Sequence, residues 1–264
     1  MLGGGWKIYS AATVCFIQVG GRLRLSRAWF HTSMSANAIR LQGRAARFWS
    51  ATLGKKAVMA MTGVILVGFV IVHLLGNLQV FAGPDKFNNY AHALKAVPAV
   101  LWGARLTLLA AVFLHIWSAF SLWRLKAEAR PIRYQSQRSI ASTYASRTMY
   151  WSGPILFLFI VYHLLHLTVG VGGTRFVEGE PYDNLVAGFQ VIPIALFYIL
   201  AVGCLCFHLF HGIWSIFQTL GMNHPKYTPL LRLAAKAIAV ALFLGFSSIP
   251  LAVLLGRIQP SGIL

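Results

Sequence analysis

Five stretches of the chain are apolar almost without interruption, at about 57–82, 98–123, 149–171, 191–217 and 231–255, and the connections between them are polar or charged. Each run has about the 20 residues that a helix needs to cross the hydrocarbon core of a bilayer. A backbone in lipid must satisfy its own hydrogen bonds, so such runs predict helices. The fold class expected is an all-α, five-helix integral membrane bundle. Four of the runs interrupt their apolar pattern with histidine: His73 in VGFVIVHLLGN, His115 in LLAAVFLHIWSAF, His163 and His166 in LFLFIVYHLLHLT, and His208 and His211 in LFYILAVGCLCFHLFHGIWSIFQ. An imidazole in hydrocarbon costs free energy unless it is paired, wetted or bound, which makes these the candidate functional residues. The plainer reading of any single one is a hydrogen bond to a neighbouring helix.

Depth along the spans sorts the histidines. At a rise of ~1.5 Å per residue, His73 lies about 24 Å and His163 about 21 Å from the basic ends of their spans, whereas His115 and His208 lie about 12 and 13 Å from theirs. The four fall in two tiers about 10 Å apart, His73 with His163 and His115 with His208. Two neutral imidazoles from facing helices can be the axial ligands of a haem iron, which satisfies the buried nitrogens and leaves no open position for oxygen. The pattern predicts a bundle holding two b-type haems, with electron transfer as its chemistry. His166 and His211 each stand three residues from His163 and His208 and share much of their faces. On spacing alone, either could replace its neighbour as ligand. No Asp or Glu falls inside a span, where a proton-coupled transporter ordinarily keeps a carboxylate. A histidine-relay transporter or channel without haem is the alternative, and a purely structural anchor is a third reading.

Composition agrees with the membrane class: 58% hydrophobic residues against 11% charged. A net charge of +18 would suggest nucleic acid as a partner in a soluble chain, but its placement argues otherwise. Lys and Arg gather before the first span (through Lys56), between spans two and three (Arg124 to Arg147), and between spans four and five (Lys226, Arg232, Lys236). Asp85, Glu178, Glu180 and Asp183 occupy the alternate connections. Cytoplasmic loops carry the excess of Lys and Arg, which predicts a cytoplasmic N-terminus and an outside C-terminus in the bacterial cytoplasmic membrane. The basic loops can also meet membrane lipid or an acidic partner subunit. Cys204 and Cys206, two residues apart in mid-span, point to different helix faces and suit neither a disulfide nor tetrahedral zinc.

Residues 1–50 contain no acid, with Arg22, Arg24, Arg27, Arg40, Arg44 and Arg47 scattered among small residues, a composition similar to a transit peptide. Their apolar part, Ile8 to Val19, is too short to span. The expectation is a basic N-terminal arm on the cytoplasmic surface over 1–50, followed by a five-span cytochrome b domain over 51–264. A targeting segment, or an extension upstream of a true start at Met34, are the other readings.

Several fragments carry a family likeness: HLLGN at His73, Ser152-Gly153 with YH ten residues beyond Gly153, FHLFHGIW at 207–214, and the weaker PDKFNNYAH and RPIRY. Over about residues 55–255 the chain resembles the five-helix, dihaem cytochrome b membrane-anchor subunit of succinate dehydrogenase and fumarate reductase, the succinate:quinone oxidoreductases. In that family the span-four ligand is followed four residues on by Gly, then an aliphatic and an aromatic residue. Here those are His208, Gly212, Ile213 and Trp214. The resemblance therefore selects His208 over His211, and the YH position selects His163 over His166. It implies a complex in which a flavoprotein oxidises succinate, an iron–sulfur subunit relays electrons, and this anchor, with no succinate site of its own, passes them through two haems to a membrane quinone. It further implies His115 and His208 for the proximal haem, and His73 and His163 for the distal one. Some members carry Glu two residues before the span-four ligand for compensating proton transfer. Cys206 stands there in this chain, a departure that counts against such a path. Asn77, Gln79, Asn88 and His92, at the outer end of span one, are candidates for holding a quinone carbonyl. Lys56, Arg105, Arg147 and Arg175 are candidates by position for haem propionates.

Overall fold

The computed structural model describes residues 8–11, 14–19, 22–25, 43, 48–129, 144–172 and 175–262. The chain divides into two compact units, Met1–Lys55 and Lys56–Leu264. The first contains three short antiparallel strands, β1 (Ile8–Ala11), β2 (Val14–Val19) and β3 (Arg22–Leu25), in the order β1-β2-β3, with Ile8 opposite Ile17 and Phe16 opposite Leu25. The Arg-Leu-Arg-Leu run at 22–25 has the two-residue period of a strand. The stretch expected to be an arm thus has β-structure at 8–11, 14–19 and 22–25. Met34 and the rest of 26–42 lie outside the described residues, as do 130–143 of the long basic connection.

From Thr52 onward every described element is helical. These are α1 (Thr52–Asn77), extended by a 3-10 turn at Leu78–Ala82; α2 (Pro84–Lys95); α3 (Pro98–Glu128); α4 (Tyr144–Leu164), extended by a π turn at Leu165–Val169; α5 (Pro181–Gln190); α6 (Ile192–Thr219); and α7 (Thr228–Leu254). Helices α2, α3, α5, α6 and α7 each carry Pro in the first two positions, where its missing N–H has no partner to lose and its fixed φ suits the helix. Five segments are long and apolar enough to cross a membrane: Thr52–Ala82, Pro98–Glu128, Tyr144–Val169, Ile192–Thr219 and Thr228–Leu254.

These five coincide with the five apolar runs, but their ends differ by several residues because a helix need not stop at the hydrocarbon boundary. Helix α3 continues through Arg124 and Lys126 to Glu128, and Arg124 reaches Glu128 one turn on at 3.3 Å. Helix α4 begins at Tyr144, ahead of its apolar run. Pro154 is therefore interior to the helix and withdraws the hydrogen bond to the Tyr150 carbonyl. The GPDKFNNYAHALKAV connection, which reads as a polar loop, is mostly helix α2 with Phe87 buried.

Between lipid-facing helices, association depends on close packing more than on hydrophobicity, and small residues permit it. Ala235 and Ala239, one turn apart on α7, are fully buried, and α6 with α7 form the most extensive helix pairing. Leu209, Ile213 and Trp214 of α6, Leu242 of α7 and Leu74 of α1 complete this cluster. Leu74 occupies the space a side chain would need at Gly245. Helices α4 and α6 also run close together. By contrast, α1 and α3 make no comparable backbone approach to α4 or α6. Of its 31 residues, α3 buries only Ala111 and Ser118.

One end of the bundle is capped by α2, α5 and the turn after α7, around a core that includes Val80, Phe87, Tyr182, Val186, Phe189 and Ile258. Polar bonds tie these segments together. Asn88 donates to Glu180 Oε2 (2.8 Å) and accepts from Tyr182 N (3.0 Å), Tyr182 Oη donates to the Gln259 carbonyl (3.1 Å), and Asp183 accepts from Ser261 N (2.8 Å) and Oγ (2.5 Å). Burial, with the Asp183 carboxylate beside it, pushes the Tyr182 phenol above its usual range.

Candidate functional site

Two pairs of imidazoles face each other across the helices that stand apart. His73, late in α1, and His163, at the end of α4, have ring centroids 5.8 Å apart with planes at 89°. His115 of α3 and His208 of α6 are 6.3 Å apart with planes at 52°. The first pair is nearer the cap, so we call it the cap-side pair and the other the far-side pair. Two metal–imidazole bonds of about 2 Å each, extended by the ring radii, put centroids roughly 6 Å apart, so an iron between the rings suits both pairs. The wide spacing of α1 from α4 and of α3 from α6 suits a flat macrocycle around that iron. Among the described residues, His163 Nδ1 is one of the buried side-chain polar atoms without a hydrogen-bond partner. No group of three or more His, Cys, Asp and Glu stands together among the described residues. The donor set is therefore that of a two-imidazole site and not of a protein-only metal cage.

The far-side nitrogens are held by hydroxyls from other helices. Thr62 Oγ1 of α1 donates to the Val58 carbonyl (2.8 Å), with Met59 O also near (3.1 Å), and lies 3.1 Å from His115 Nδ1. A hydroxyl has one hydrogen; with that committed to the backbone, Thr62 can only accept from the imidazole. That arrangement goes with the Nδ1–H tautomer of His115, which leaves the Nε2 lone pair for a ligand. Ser152 Oγ of α4 lies 3.2 Å from His208 Nδ1, a contact whose donor is set by the tautomer of the ring. The cap-side pair is held differently. Phe69 stacks on His73 at 5.2 Å, Phe159 lies 5.9 Å from His163, and Asn77 Nδ2 donates to the His73 carbonyl (2.7 Å) and sits 3.3 Å from its Nε2.

Spacing put His166 on the face of His163, but the π turn at Leu165–Val169, closed by Gly170 in the left-handed region, rotates it away. His166 is fully buried, bonds Tyr198 Oη through Nδ1 at 2.9 Å, and stacks on Tyr162. Its ring fills the space beside Gly188 of α5, where an added Cβ would come within 2.7 Å of Cε1 and 2.8 Å of Nε2. A Gly188→Ala change is therefore expected to destabilise the cap by about 1–3 kcal/mol, measured as a lowered unfolding temperature in detergent. His211 is half-buried, one turn beyond His208, and it is the His208 ring that meets His115.

The remaining sequence candidates are spread more widely. Asn88 has its amide committed to Glu180 and Tyr182, Asn77 bonds the His73 backbone, Gln79 is half-buried in the 3-10 turn, and His92 is exposed on α2. Gly76 of α1 is packed by the ring of Tyr90 of α2. Arg105 lies over the Trp102 ring at 5.1 Å, and Arg147 is exposed. Thr62 and Tyr198 were not singled out by sequence, and Ser152 entered only as part of a motif. The signal available for them was a hydroxyl inside a span, which is common and carries no information about its partner.

Fold and site together define an integral membrane five-helix bundle with paired intramembrane histidines. Residues 126–246, from the end of α3 into α7, match the succinate dehydrogenase/fumarate reductase transmembrane subunit family. The match supports the likeness to a membrane-anchor subunit drawn from the motifs. It contains His163 and His208, whereas His73 and His115 lie ahead of it. No curated protein and no solved structure matches the chain.

Proposed function

We propose that each imidazole pair holds one b-type haem, His73 with His163 and His115 with His208, and that the chain is the cytochrome b anchor of a succinate:quinone oxidoreductase. Iron with two axial imidazoles supplies one-electron transfer without an open position for oxygen. The protein's part is to present neutral imidazoles from opposite helices, to exclude water with the surrounding Phe and Leu side chains, and to span the distance between a partner at the basic face and the capped end. The observation that carries this reading is the pair of facing histidines at two depths, with centroids 5.8 and 6.3 Å apart on helices whose backbones stand off.

In this reading the basic connections face the cytoplasm and meet an iron–sulfur subunit, which receives electrons from a flavoprotein. The far-side pair is then proximal and the cap-side pair distal, in a bacterial cytoplasmic membrane. The quinone is received near the end of α1, around Asn77, Gln79 and His92, with Asn88 shaping that region through its bonds to α5. A pyridine haemochrome assay on the purified complex is expected to give two haems b per chain. A preparation without haem absorption overturns the reading in favour of histidines that serve a relay or packing alone.

A further inference from the structure

We infer that Thr62 and Ser152 are the residues that orient and tune the two ligands of the far-side haem, each by taking the Nδ1–H of an imidazole on a neighbouring helix. The inference rests on the haem reading above and assigns a role to two residues that the histidine pattern does not touch.

Both hydroxyls are buried, at 5% exposure for Thr62 and 4% for Ser152. Neither sits on the helix whose histidine it holds: Thr62 of α1 reaches across to α3, and Ser152 of α4 reaches to α6. Helix α3 has little packing with which to fix the rotation of His115, since Ala111 and Ser118 are its only buried residues. The Thr62 contact is a directional restraint on that ring. It also sets the tautomer. Were the hydroxyl a donor to Nδ1, the proton would sit on Nε2 and block a bond to iron; the shorter contact of the Thr62 hydroxyl to the Val58 carbonyl, 2.8 Å against 3.1 Å, favours the arrangement in which it accepts from the imidazole. An acceptor behind a ligating imidazole fixes the ring and raises its basicity. A more basic ligand favours the ferric state and lowers the potential of its haem. Among the described residues the cap-side pair lacks this device: His163 Nδ1 has no hydrogen-bond partner there, and the contact to His73 from Asn77 lies at Nε2. The effect of removing either hydroxyl is therefore confined to one of two haems.

The test is a potentiometric titration of the intact complex, followed by optical and electron-paramagnetic-resonance signals of both haems, with haem content measured alongside. Thr62→Val is expected to raise the reduced-to-oxidised ratio of one haem at fixed applied potential by roughly threefold or more, and to leave the other haem unchanged. Ser152→Ala is expected to shift the same haem in the same direction, and Thr62→Ser to titrate as wild type. Unchanged titrations in Thr62→Val and Ser152→Ala at full haem occupancy overturn the inference, as does a shift of both haems together. If Thr62→Val does not load, Ser152→Ala and Thr62→Ser decide. A wild-type Thr62→Ser with a shifted Ser152→Ala supports the inference, and a Thr62→Ser that also fails to load assigns Thr62 to packing and overturns it. Absence of haem from the wild-type complex is a separate result, since it removes the haem reading itself.

Discussion

His208→Ala is expected to halve the haem content of the purified complex, from two per chain to one, and His211→Ala to leave it at two. His208 and His115 face each other across 6.3 Å, and alanine removes one of the two nitrogens that an iron between them requires. The missing His208 imidazole cannot be replaced by His211 without turning α6 about its axis. That helix packs against α7 along Ala235 and Ala239, so the turn would break the most extensive helix pairing in the bundle. His115→Ala is expected to lose the same haem, and a double variant to lose no more than either single one. Haemochrome content and reduced-minus-oxidised spectra read both results. Loss of haem from His211→Ala with retention in His208→Ala would reverse the face assignment.

The second large effect is expected at the cap. Asp183 is fully buried, and its two carboxylate oxygens accept from Ser261 N and Ser261 Oγ, pinning the turn after α7 onto α5. Asp183→Ala removes the acceptor for both of these bonds, and hydrogen bonds to a charged group contribute about 1.5–3 kcal/mol each. The expected destabilisation is about 3 kcal/mol, seen as a lowered unfolding temperature in detergent and faster proteolysis behind Leu254. Asp183→Asn, which keeps one acceptor oxygen, should lose less. An alanine variant that melts with the wild type would mean that the cap is held by its apolar core alone.

The five spans were legible because length of apolar run is the constraint a bilayer imposes, and that is a property of composition. The two tiers were legible because helical rise converts position into depth: His73 and His163, and likewise His115 and His208, needed only subtraction. Rotation about each helix axis was not legible. Lipid-facing and core-facing positions are equally apolar, so nothing in the α3 sequence distinguishes buried Ala111 from exposed Phe113. For the same reason the partnership of Thr62 with His115, between residues on different helices, had no local signature. The π turn that turns His166 toward Tyr198 was also unreadable, because it arises from how α4 ends against α5 and not from a breaker residue within it. Helix α2 could have been recognised: Gly83-Pro84 opens it, Asp85 lies in its first turn, and Lys95 in its last.

The loose seating of α3 bears on biogenesis. A helix that buries only Ala111 and Ser118 gains little from its neighbours, so its docking depends on what fills the space in front of His115. The α6–α7 hairpin, joined through Ala235 and Ala239, needs nothing added. If the haem reading proposed above holds, a subunit without iron porphyrin is expected to keep that hairpin while α3 stays undocked, so cofactor supply would act on maturation.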